Sequence, residues 1–544
     1  MESSRWIAAV ASIWIQCSCG ASYAFGIYSP LLKSSQGYDQ STLDLISVFK
    51  DIGANAGILS GFLYSTTATN SRHQSSSFFR RPWVVHAAGA IQCFIGYFFM
   101  WLAVTGAIHR PHVPVMCLLM FLAAHAQTFF NTANVVTAVQ NFPEYSGTIV
   151  GIMKGFLGLS GAILIQVYQT ISRGKPSTFL LMMALLPPIF SLVLMWFVRV
   201  HLVPNRDENE KKYLNGFALN SVVVAAYLMF LIILRNTVSL SPWMYTLTLV
   251  ILLVLLSSPI KIAMKAHKED LKRSSQTFLN TSLMNDSNSF NSENPDDCPE
   301  VPTDIIYDKP KSEDTLYIEE LNLFQAMRTT NFWLLFVAML CGMGSGMATI
   351  NNISQIGESL GYTSVERSTL VSLWSIWNFL GRFGAGYVSD IFLHRRGWAR
   401  PLFSTLTLAA MAAGHIIIAL GFPGNLYVGS ILVGVCYGSQ WSLMPTITSE
   451  IFGVLHMGTI FNTIAVASPI GSYIFSVRLI GYIYDKEASG EGNLCSGTHC
   501  FMISFFILAA VSFFGFLVAF VLFMKTTRFY KTVVLRRLRN SGRG

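Results

Sequence analysis

Charged residues are scarce in this sequence. Asp, Glu, Lys and Arg together make up 12% of the 544 residues, about half the roughly 25% found in ordinary soluble domains. So little charge cannot cover the surface of a soluble fold of this length, which excludes a soluble enzyme. The aromatic share of 13% excludes a chain that is disordered throughout. The net charge of +9 is typical of cytoplasmic loops in a membrane protein, so we expect no nucleic-acid partner.

Cysteine is also scarce, and its spacing excludes a metal or redox framework. Six of the nine cysteines lie in apolar runs, where cysteine most often packs as a small side chain. Cys17 and Cys19 are too close for the usual zinc spacing, and Cys298 lies in a polar segment. We find no nucleophile–base pair, metal-ligand cluster or phosphate loop. We therefore expect no enzymatic activity, no metal and no cofactor.

Long apolar runs are what the sequence has in abundance. A spanning helix needs about 20 mostly apolar residues, and the first run, from Trp6, is too long for a cleavable signal. The sequence predicts an all-α integral membrane protein with about 14 transmembrane helices. The predicted spans are 6–28, 43–65, 82–106, 113–141, 147–171, 177–200, 217–235, 242–261, 331–351, 366–391, 401–421, 426–450, 456–482 and 501–524.

The basic residues between these spans are distributed unequally. If the N-terminus is cytoplasmic, 25 of the 37 Lys and Arg residues fall in cytoplasmic segments and 7 on the opposite side. Cytoplasmic loops carry such an excess. We therefore expect both termini to be cytoplasmic, in the plasma membrane or in a vacuolar or other endomembrane.

Short motifs recur in the two halves of the chain. Residues 37–43 and 361–370 both begin with Gly-Tyr and end with Ser-Thr-Leu, and 142–149 and 452–460 both run from Phe to Gly-Thr-Ile. These matches align spans 1, 2, 4 and 5 with spans 9, 10, 12 and 13. The repeat therefore predicts two six-helix bundles with spans 7 and 8 inserted between them. The predicted divisions are an N-terminal bundle (1–200), an inserted helix pair (201–265), a disordered cytoplasmic loop (266–330), a C-terminal bundle (331–524) and a basic tail against anionic lipid headgroups (525–544).

Two six-helix halves joined by a long cytoplasmic loop resemble the plan of the major facilitator superfamily. Residues 381–396 (GRFGAGYVSDIFLHRR) are similar to the superfamily's signature between the second and third helices of a half. Glycine permits close helix approach, and an acid at a helix end can pair with a base or with a neighbouring helix N-terminus. We expect Asp390 to hold a cytoplasmic gate together with one of the motif's arginines, the alternative being glycines that only pack and arginines that only follow the positive-inside rule. The candidate gating residues are Gly381, Arg382, Gly386, Asp390, Arg395 and Arg396.

Residues 1–265 resemble more specifically the plant nodulin-like branch of this superfamily. The resemblance is carried by Arg5-Trp6 and by residues 20–29 (GASYAFGIYS), 49–57 (FKDIGANAG) and 151–164 (GIMKGFLGLSGAIL). That branch is similar to oxalate/formate and monocarboxylate carriers. The resemblance implies facilitated or ion-coupled transport of a small organic anion.

Polar residues inside the predicted spans are candidates for the substrate site, because they are costly in a membrane. Lys50 and Lys154 are candidate counter-charges for an anion, and Asp51 is a candidate for proton or salt-bridge switching. As neighbours in sequence, Lys50 and Asp51 are expected to point in different directions. Each candidate also has a structural interpretation, such as snorkelling of a lysine or packing of a histidine. The other substrate-binding candidates are Asn55, His125, Asn131, Asn351, Asn352, Trp377 and Asn378.

Two further features concern packing and redox state. Four glycines in the fifth span predict close helix packing at a moving seam: Gly151, Gly155, Gly158 and Gly161. Cys495 and Cys500 lie in a non-cytoplasmic loop, where a disulfide can form, and we expect one, with two free thiols as the alternative.

The sequence thus predicts a secondary transporter that works by alternating access on a small organic anion such as a mono- or dicarboxylate. One alternative is a transporter of a neutral solute or a cation. Another is a substrate sensor or scaffold on a transporter fold, which would signal through residues 266–330 and the tail. The expected partners are the small-molecule substrate, a coupling proton and the lipid bilayer.

Overall fold

The computed structural model describes residues 4–69, 82–172, 175–201, 209–238, 241–289, 320–487 and 495–536. All regular secondary structure within these ranges is helical, as the sequence predicts. The helices of the N-terminal half and the inserted pair are α1 Arg5–Ser18, α2 Phe25–Gln36, α3 Gln40–Asn55, α4 Ile58–Thr69, α5 Trp83–Thr105, α6 Val113–Asn141, α7 Ser146–Ser172, α8 Pro176–Leu194, α9 Glu210–Thr237 and α10 Pro242–Ser289. The helices of the C-terminal half are α11 Leu323–Met327, α12 Thr330–Ser359, α13 Ser364–Arg396, α14 Pro401–Ala419, α15 Asn425–Phe452, α16 Met457–Ala465, α17 Ala467–Ser472, α18 Tyr482–Glu487 and α19 His499–Phe529, with π-helical turns at Tyr473–Gly481 and Tyr530–Val534.

Each of the fourteen predicted spans falls on helix. Among the described residues, ten helical segments are long and apolar enough to cross a membrane. The other four predicted spans are helical too, but the first and second are each split into two helices. The remaining two, α13 and α15, carry many buried polar side chains in the protein interior.

The repeated Gly-Tyr motifs form equivalent turns in the two halves. Gly37 and Gly361 end α2 and α12 in the left-handed region, with φ of 65° and 78°, which glycine adopts without a Cβ penalty. The next helix in each half begins with a side-chain cap: Asp39 accepts a hydrogen bond from Thr42 N, and Thr363 accepts one from Glu366 N. The sequence repeat therefore marks a structural repeat.

One candidate residue, His125, contacts the break between α3 and α4. Ala56 interrupts the helix, and its carbonyl oxygen lies 3.0 Å from His125 Nε2. The other ring nitrogen, Nδ1, lies 2.8 Å from Gln92 Oε1. Because both ring nitrogens bond to the protein, His125 stabilises the broken helix.

The two halves meet along two seams that are related by the repeat. In the first seam, α7 crosses α13 so closely that a Cβ on Gly386 would collide with the carbonyl of Gly147. In the second, α16 crosses α4, where a Cβ on Gly61 would collide with the backbone of Gly458. The sequence alignment pairs Gly147 with Gly458, so one glycine of each seam has its equivalent in the other. The end of the molecule where these glycines meet is called the closed end below.

Two of the four α7 glycines lie in close contact with α13. A Cβ on Gly151 would lie 3.0 Å from the carbonyl oxygen of Phe383, and one on Gly155 would lie 3.0 Å from the ring of Phe379. Gly158 has room, since its nearest neighbour is the Arg382 side chain at 3.6 Å. Gly161 is buried.

The inserted pair, α9 and α10, packs on α1 and α7. Arg5 forms a buried ion pair with Glu210 at 2.7 Å, and Trp6 Nε1 donates to Asp270 at 2.9 Å. Trp14 Nε1 donates to the Leu256 carbonyl at 2.8 Å. These contacts attach both inserted helices to the first helix of the N-terminal bundle.

The prediction of a disordered loop from residue 266 is wrong at both ends of that segment. Helix α10 continues to Ser289, and the first part of this extension, residues 265–273 (KAHKEDLKR), consists mostly of good helix formers. Before α12, Asn322 forms a capping box that starts α11, and Leu321 N donates to the Phe452 carbonyl. Residues 290–319, including Cys298, lie outside the described residues, as do residues 537–544 of the tail.

Candidate functional site

A cavity of about 390 Å³ lies between the two bundles. Its walls come from α2, α3, α6 and α7 on the N-terminal side and from α12, α13, α15 and α16 on the C-terminal side. Asn351 and Val371, which lie far from the closed end, are exposed, so the cavity opens toward the opposite end of the molecule. Seven predicted candidates line it: Lys50, Asp51, Asn55, Asn131, Lys154, Asn351 and Asn378.

The other candidates have contacts elsewhere. Asn352 Nδ2 donates to Ser476 Oγ at 2.8 Å, which ties α12 to the π-helical turn. Trp377 packs against Gly434 of α15, and Trp374, one turn earlier on α13, lines the cavity in its place. His125 braces the break after α3, as described above. These three predicted site residues, Asn352, Trp377 and His125, are therefore not part of the cavity wall.

Lys154 is buried at the cavity wall without a counter-charge. It lies two turns into α7 and is 1% exposed. Its Nζ lies 5.4 Å from the Trp441 ring centroid and 5.3 Å from that of Phe461. Among the described residues, no carboxylate lies within ion-pair distance of Lys154. The two aromatic rings offset only part of the cost of burying this charge.

Arg382 lies beside Lys154 in the same wall. Its Nε donates to Asn378 Oδ1 at 2.8 Å, and a terminal nitrogen donates to the backbone carbonyl of Lys154 at 3.1 Å. Its guanidinium carbon lies 5.6 Å from the Trp441 ring centroid. The prediction that places Arg382 at the gate is therefore wrong. Eight residues of α13, about 12 Å of helical rise, separate Arg382 from Asp390.

Lys50 and Asp51 form an ion pair at the cavity wall. Lys50 Nζ lies 3.1 Å from Asp51 Oδ1 and 5.0 Å from the Phe25 ring centroid. The expectation that these neighbours point in different directions is therefore wrong, because the long lysine side chain folds back toward the carboxylate. Asp51 is the one carboxylate among the described residues that line the cavity. The uncompensated positive charge of the cavity thus lies at Lys154 and not at Lys50.

At the closed end, Asp390 joins the two bundles. Its carboxylate accepts hydrogen bonds from the backbone N–H groups of Gly147 and Thr148, at 3.2 and 2.5 Å, in the first turn of α7. It also pairs with Arg400 at 2.5 Å, and both side chains are almost fully buried. An anion at a helix N-terminus is stabilised by the unpaired N–H groups and the helix dipole.

The sequence-based choice of arginine partners for Asp390 is wrong. Arg395 and Arg396 are exposed, and the Arg396 guanidinium lies over the Trp398 ring at 5.3 Å. Gly397 ends α13 with a φ of +69°. The turn at Gly397 brings Arg400, just before α14, back to Asp390.

The same network continues to the C-terminal tail. Arg400 Nε donates to Glu450 Oε1 at 2.6 Å, and the Tyr530 hydroxyl donates to Glu450 Oε2 at 2.7 Å. Tyr530 is fully buried and packs with Leu393 and Ala399. A chain of polar contacts thus connects the tail to the first turn of α7.

Two protein-family models match the chain. The model "Nodulin-like" matches residues 5–264, and the model "NFD4, C-terminal domain" matches residues 315–532. Together they span nearly all the described helices of both bundles. The chain belongs to the Nodulin-like/NFD4 family of the major facilitator superfamily.

Individual relatives agree with this assignment. The chain is 25% identical to Protein NUCLEAR FUSION DEFECTIVE 4 of Arabidopsis thaliana, over 97% of this chain and 89% of that protein. It is 28% identical to the Probable transporter MCH1 of Yarrowia lipolytica, over 29% of this chain and 34% of that protein. It is 25% identical to the Uncharacterized MFS-type transporter YhjX of Escherichia coli, over 31% of this chain and 42% of that protein.

A solved structure shows the same fold. The proton:xylose symporter XylE, bound to 6-bromo-6-deoxy-D-glucose, superposes with a TM-score of 0.54 and 13% identity over 94% of each chain. The fold is therefore that of a multi-pass integral membrane protein. The family assignment makes this Nodulin-like/NFD4 protein an MFS-type transporter and not an enzyme.

Cys495 and Cys500 of this Nodulin-like/NFD4 transporter form a disulfide, the pairing that the sequence predicts. They lie at the end opposite the closed end, called the open end below. The short loop between them is attached to α12, since Gly497 N donates to the Ser359 carbonyl at 2.8 Å. Cys495 N donates to the Tyr484 hydroxyl at 3.2 Å.

Sequence reasoning missed two residues that the structure of this transporter places at the cavity wall and at the closed end. The Trp441 ring contacts both Lys154 and Arg382. In the sequence, the one feature that could have pointed to it is its position as a tryptophan among the small residues of a polar span. Arg400 lies four residues beyond the recognised motif, so its pairing with Asp390 depends on a turn that the motif does not contain.

Proposed function

We propose that this protein carries a small organic anion across its membrane by alternating access, with the anion bound between Lys154 and Arg382. The observation that carries the proposal is the burial of Lys154 at the wall of a cavity between the bundles, with no carboxylate within ion-pair distance among the described residues. A buried charge without a counter-ion is costly, and a bound anion removes that cost.

The hydrogen-bonding groups around Lys154 support an anion over a cation. Lysine and arginine side chains have only donors, and both line this part of the cavity. The Trp441 indole N–H, also a donor, is buried and has no hydrogen-bond partner among the described residues. Three donor groups around one space suit the oxygens of a carboxylate and repel a cation.

The Lys50–Asp51 pair supports a role in coupling. Protonation of Asp51 removes its charge and leaves Lys50 without its partner, so the charge of the cavity depends on this one carboxylate. We assign the coupling proton to Asp51 for that reason.

The basic residues at the closed end support an orientation of the protein in the membrane. Basic residues at that end, such as Arg328, Arg395 and Arg528, follow the positive-inside rule. We assign the closed end to the cytoplasm, so that the structure corresponds to an outward-facing state. Opening the Asp390 network would expose the cavity to the cytoplasm and complete the transport cycle.

The test is uptake by the full chain reconstituted in proteoliposomes. The labelled panel contains monocarboxylates, dicarboxylates, a hexose and an organic cation, each measured with and without an inward proton gradient. Saturable uptake of a carboxylate supports the proposal, and faster uptake with the gradient supports the assigned role of Asp51. Uptake of only the hexose or only the cation overturns the anion assignment. Binding of a solute without uptake of any member overturns transport and favours a sensor.

A further inference from the structure

We infer that the substrate is an aromatic monocarboxylate, and not a small dianion or a polyhydroxylated acid. This inference rests on the proposed function, because it assigns a chemical class to the occupant of the same cavity.

The described part of the cavity wall offers one place for an anionic group. Lys154 and Arg382 both lie against the ring of Trp441, at 5.4 and 5.6 Å from its centroid. The third cation of the wall, Lys50, is occupied by Asp51 at 3.1 Å. A second carboxylate on the substrate would have to lose its water without a free counter-charge, which is unfavourable in a buried site. The charge distribution therefore favours a monoanion.

The two walls of the cavity differ in polarity. The N-terminal wall is mostly polar, with Ser47, Asn55, Gln127 and Asn131. The C-terminal wall is mostly apolar and aromatic. Its large apolar side chains are Met347, Ile350, Val371, Trp374, Tyr437, Trp441 and Phe461. A flat ring can stack on this wall while its edge or a substituent faces the polar wall.

Size and polarity exclude the other classes of acid. The volume of about 390 Å³ falls within the roughly 300–1,000 Å³ of ordinary ligand pockets, so formate or oxalate would leave most of the apolar wall without contact. A sugar acid carries hydroxyl groups on all sides. Those directed at the apolar wall would lose water without gaining a partner. An aromatic ring with one carboxylate fits both walls.

The test uses the purified full chain and four sulfonate or carboxylate probes that stay ionised near neutral pH: benzenesulfonate, methanesulfonate, ethane-1,2-disulfonate and gluconate. Dissociation constants are measured by titration calorimetry. We expect benzenesulfonate to bind at least about tenfold more tightly than each of the other three, because only its ring buries apolar surface against Trp374 and its neighbours. The Lys154→Ala variant should lose benzenesulfonate binding.

Two variants locate the ring. Trp374→Leu should weaken benzenesulfonate about tenfold and leave methanesulfonate unchanged, whereas Trp243→Leu, on the exposed surface of α10, should change neither. If Trp374→Leu does not fold, the four wild-type constants still decide the question.

The outcomes separate the inference from the proposed function. Equal binding of benzenesulfonate and methanesulfonate overturns the aromatic assignment and leaves an anion carrier. Tighter binding of the disulfonate or of gluconate does the same and names the correct class. If none of the four anions binds, both the inference and the proposed function are wrong.

Discussion

At the scale of single residues, the chemistry of the cavity depends on which charges are paired. Lys50 and Lys154 are equivalent in a list of charged residues inside spans, but Lys50 has a carboxylate at 3.1 Å and Lys154 has none within ion-pair distance among the described side chains. The pairing of adjacent residues in a helix depends on rotamers, which sequence spacing does not determine. The sequence places Lys154 inside a span and makes it a candidate, whereas its position in the cavity wall and its lack of a nearby carboxylate among the described side chains require the structure.

Asp390 is the residue whose removal should weaken the closed end most. Asp390→Asn removes the charge that binds Arg400 and the first turn of α7, and charge-assisted hydrogen bonds contribute about 1.5–3 kcal/mol each. We expect the outward-facing population to fall and turnover to decrease by about tenfold or more at similar expression. The outward-facing population is measured with a reporter cysteine, Asn351→Cys, at the exposed mouth of the cavity. An impermeant maleimide labels this cysteine when the cavity is open to the outside. The reporter is introduced together with Cys298→Ser.

The control for this variant is Asp485→Asn, an exposed carboxylate near the open end, which should change neither labelling nor turnover. Full uptake and unchanged labelling in Asp390→Asn would show that the network does not hold the closed end.

At the scale of helices, the tail and the broken spans determine how the bundles are held. The hydropathy of the first two spans is continuous, so it does not show the breaks after Ser18 and Asn55. The packing of the tail is equally hidden, because Tyr530 is one aromatic among basic residues. In the structure, its hydroxyl donates to Glu450, which also accepts from Arg400.

Tyr530→Phe should loosen the closed end by a smaller amount than Asp390→Asn. The ring keeps its packing against Leu393 and Ala399, and only one hydrogen bond, of about 1 kcal/mol, is lost. We expect maleimide labelling of the Asn351→Cys reporter to slow by about fivefold. The substrate KM, corrected for the smaller outward-facing population, should not change. Tyr482→Phe, which is exposed, is the matched control. An unchanged labelling rate would mean that the tail does not act on the closed end.

The Cys495–Cys500 disulfide should be present in the purified protein. The two cysteines lie at the end opposite the predicted cytoplasmic side, where oxidising conditions can persist. Mass spectrometry of alkylated, non-reduced protein should find the peptide linked and two hydrogens lighter than its reduced form. Alkylation of both cysteines would contradict this assignment.

At the scale of the whole molecule, the internal repeat is the sequence feature that predicts the arrangement of the helices in two bundles. The alignment of spans 5 and 13 pairs Gly147 with Gly458, and in the structure these two glycines lie in the two seams, Gly147 against Gly386 and Gly458 against Gly61. Apolar run length predicts the number of spans because each must cross the same bilayer thickness. Loop composition predicts less: the helical extension of α10 to Ser289 has a polar sequence that hydropathy does not distinguish from a loop.

The orientation of the molecule is a prediction from the distribution of basic residues. Both termini and residue 298 should be cytoplasmic. In intact cells an impermeant maleimide should not label Cys298, and it should do so after permeabilisation, if the protein is in the plasma membrane. The six free cysteines among the described residues are all buried, which leaves a clean readout. Labelling of Cys298 from outside in intact cells would show that the orientation is the reverse of the one predicted.

The central claim is that Lys154 supplies the charge that binds the transported anion. The most direct measurement is uptake of a labelled carboxylate into proteoliposomes by four forms of the protein: wild type, Lys154→Ala, Lys154→Arg and Lys175→Ala. Lys175 is exposed and serves as the matched control. We predict that Lys154→Ala abolishes uptake, that Lys154→Arg retains part of it, and that Lys175→Ala equals wild type. Wild-type uptake by Lys154→Ala would contradict the account.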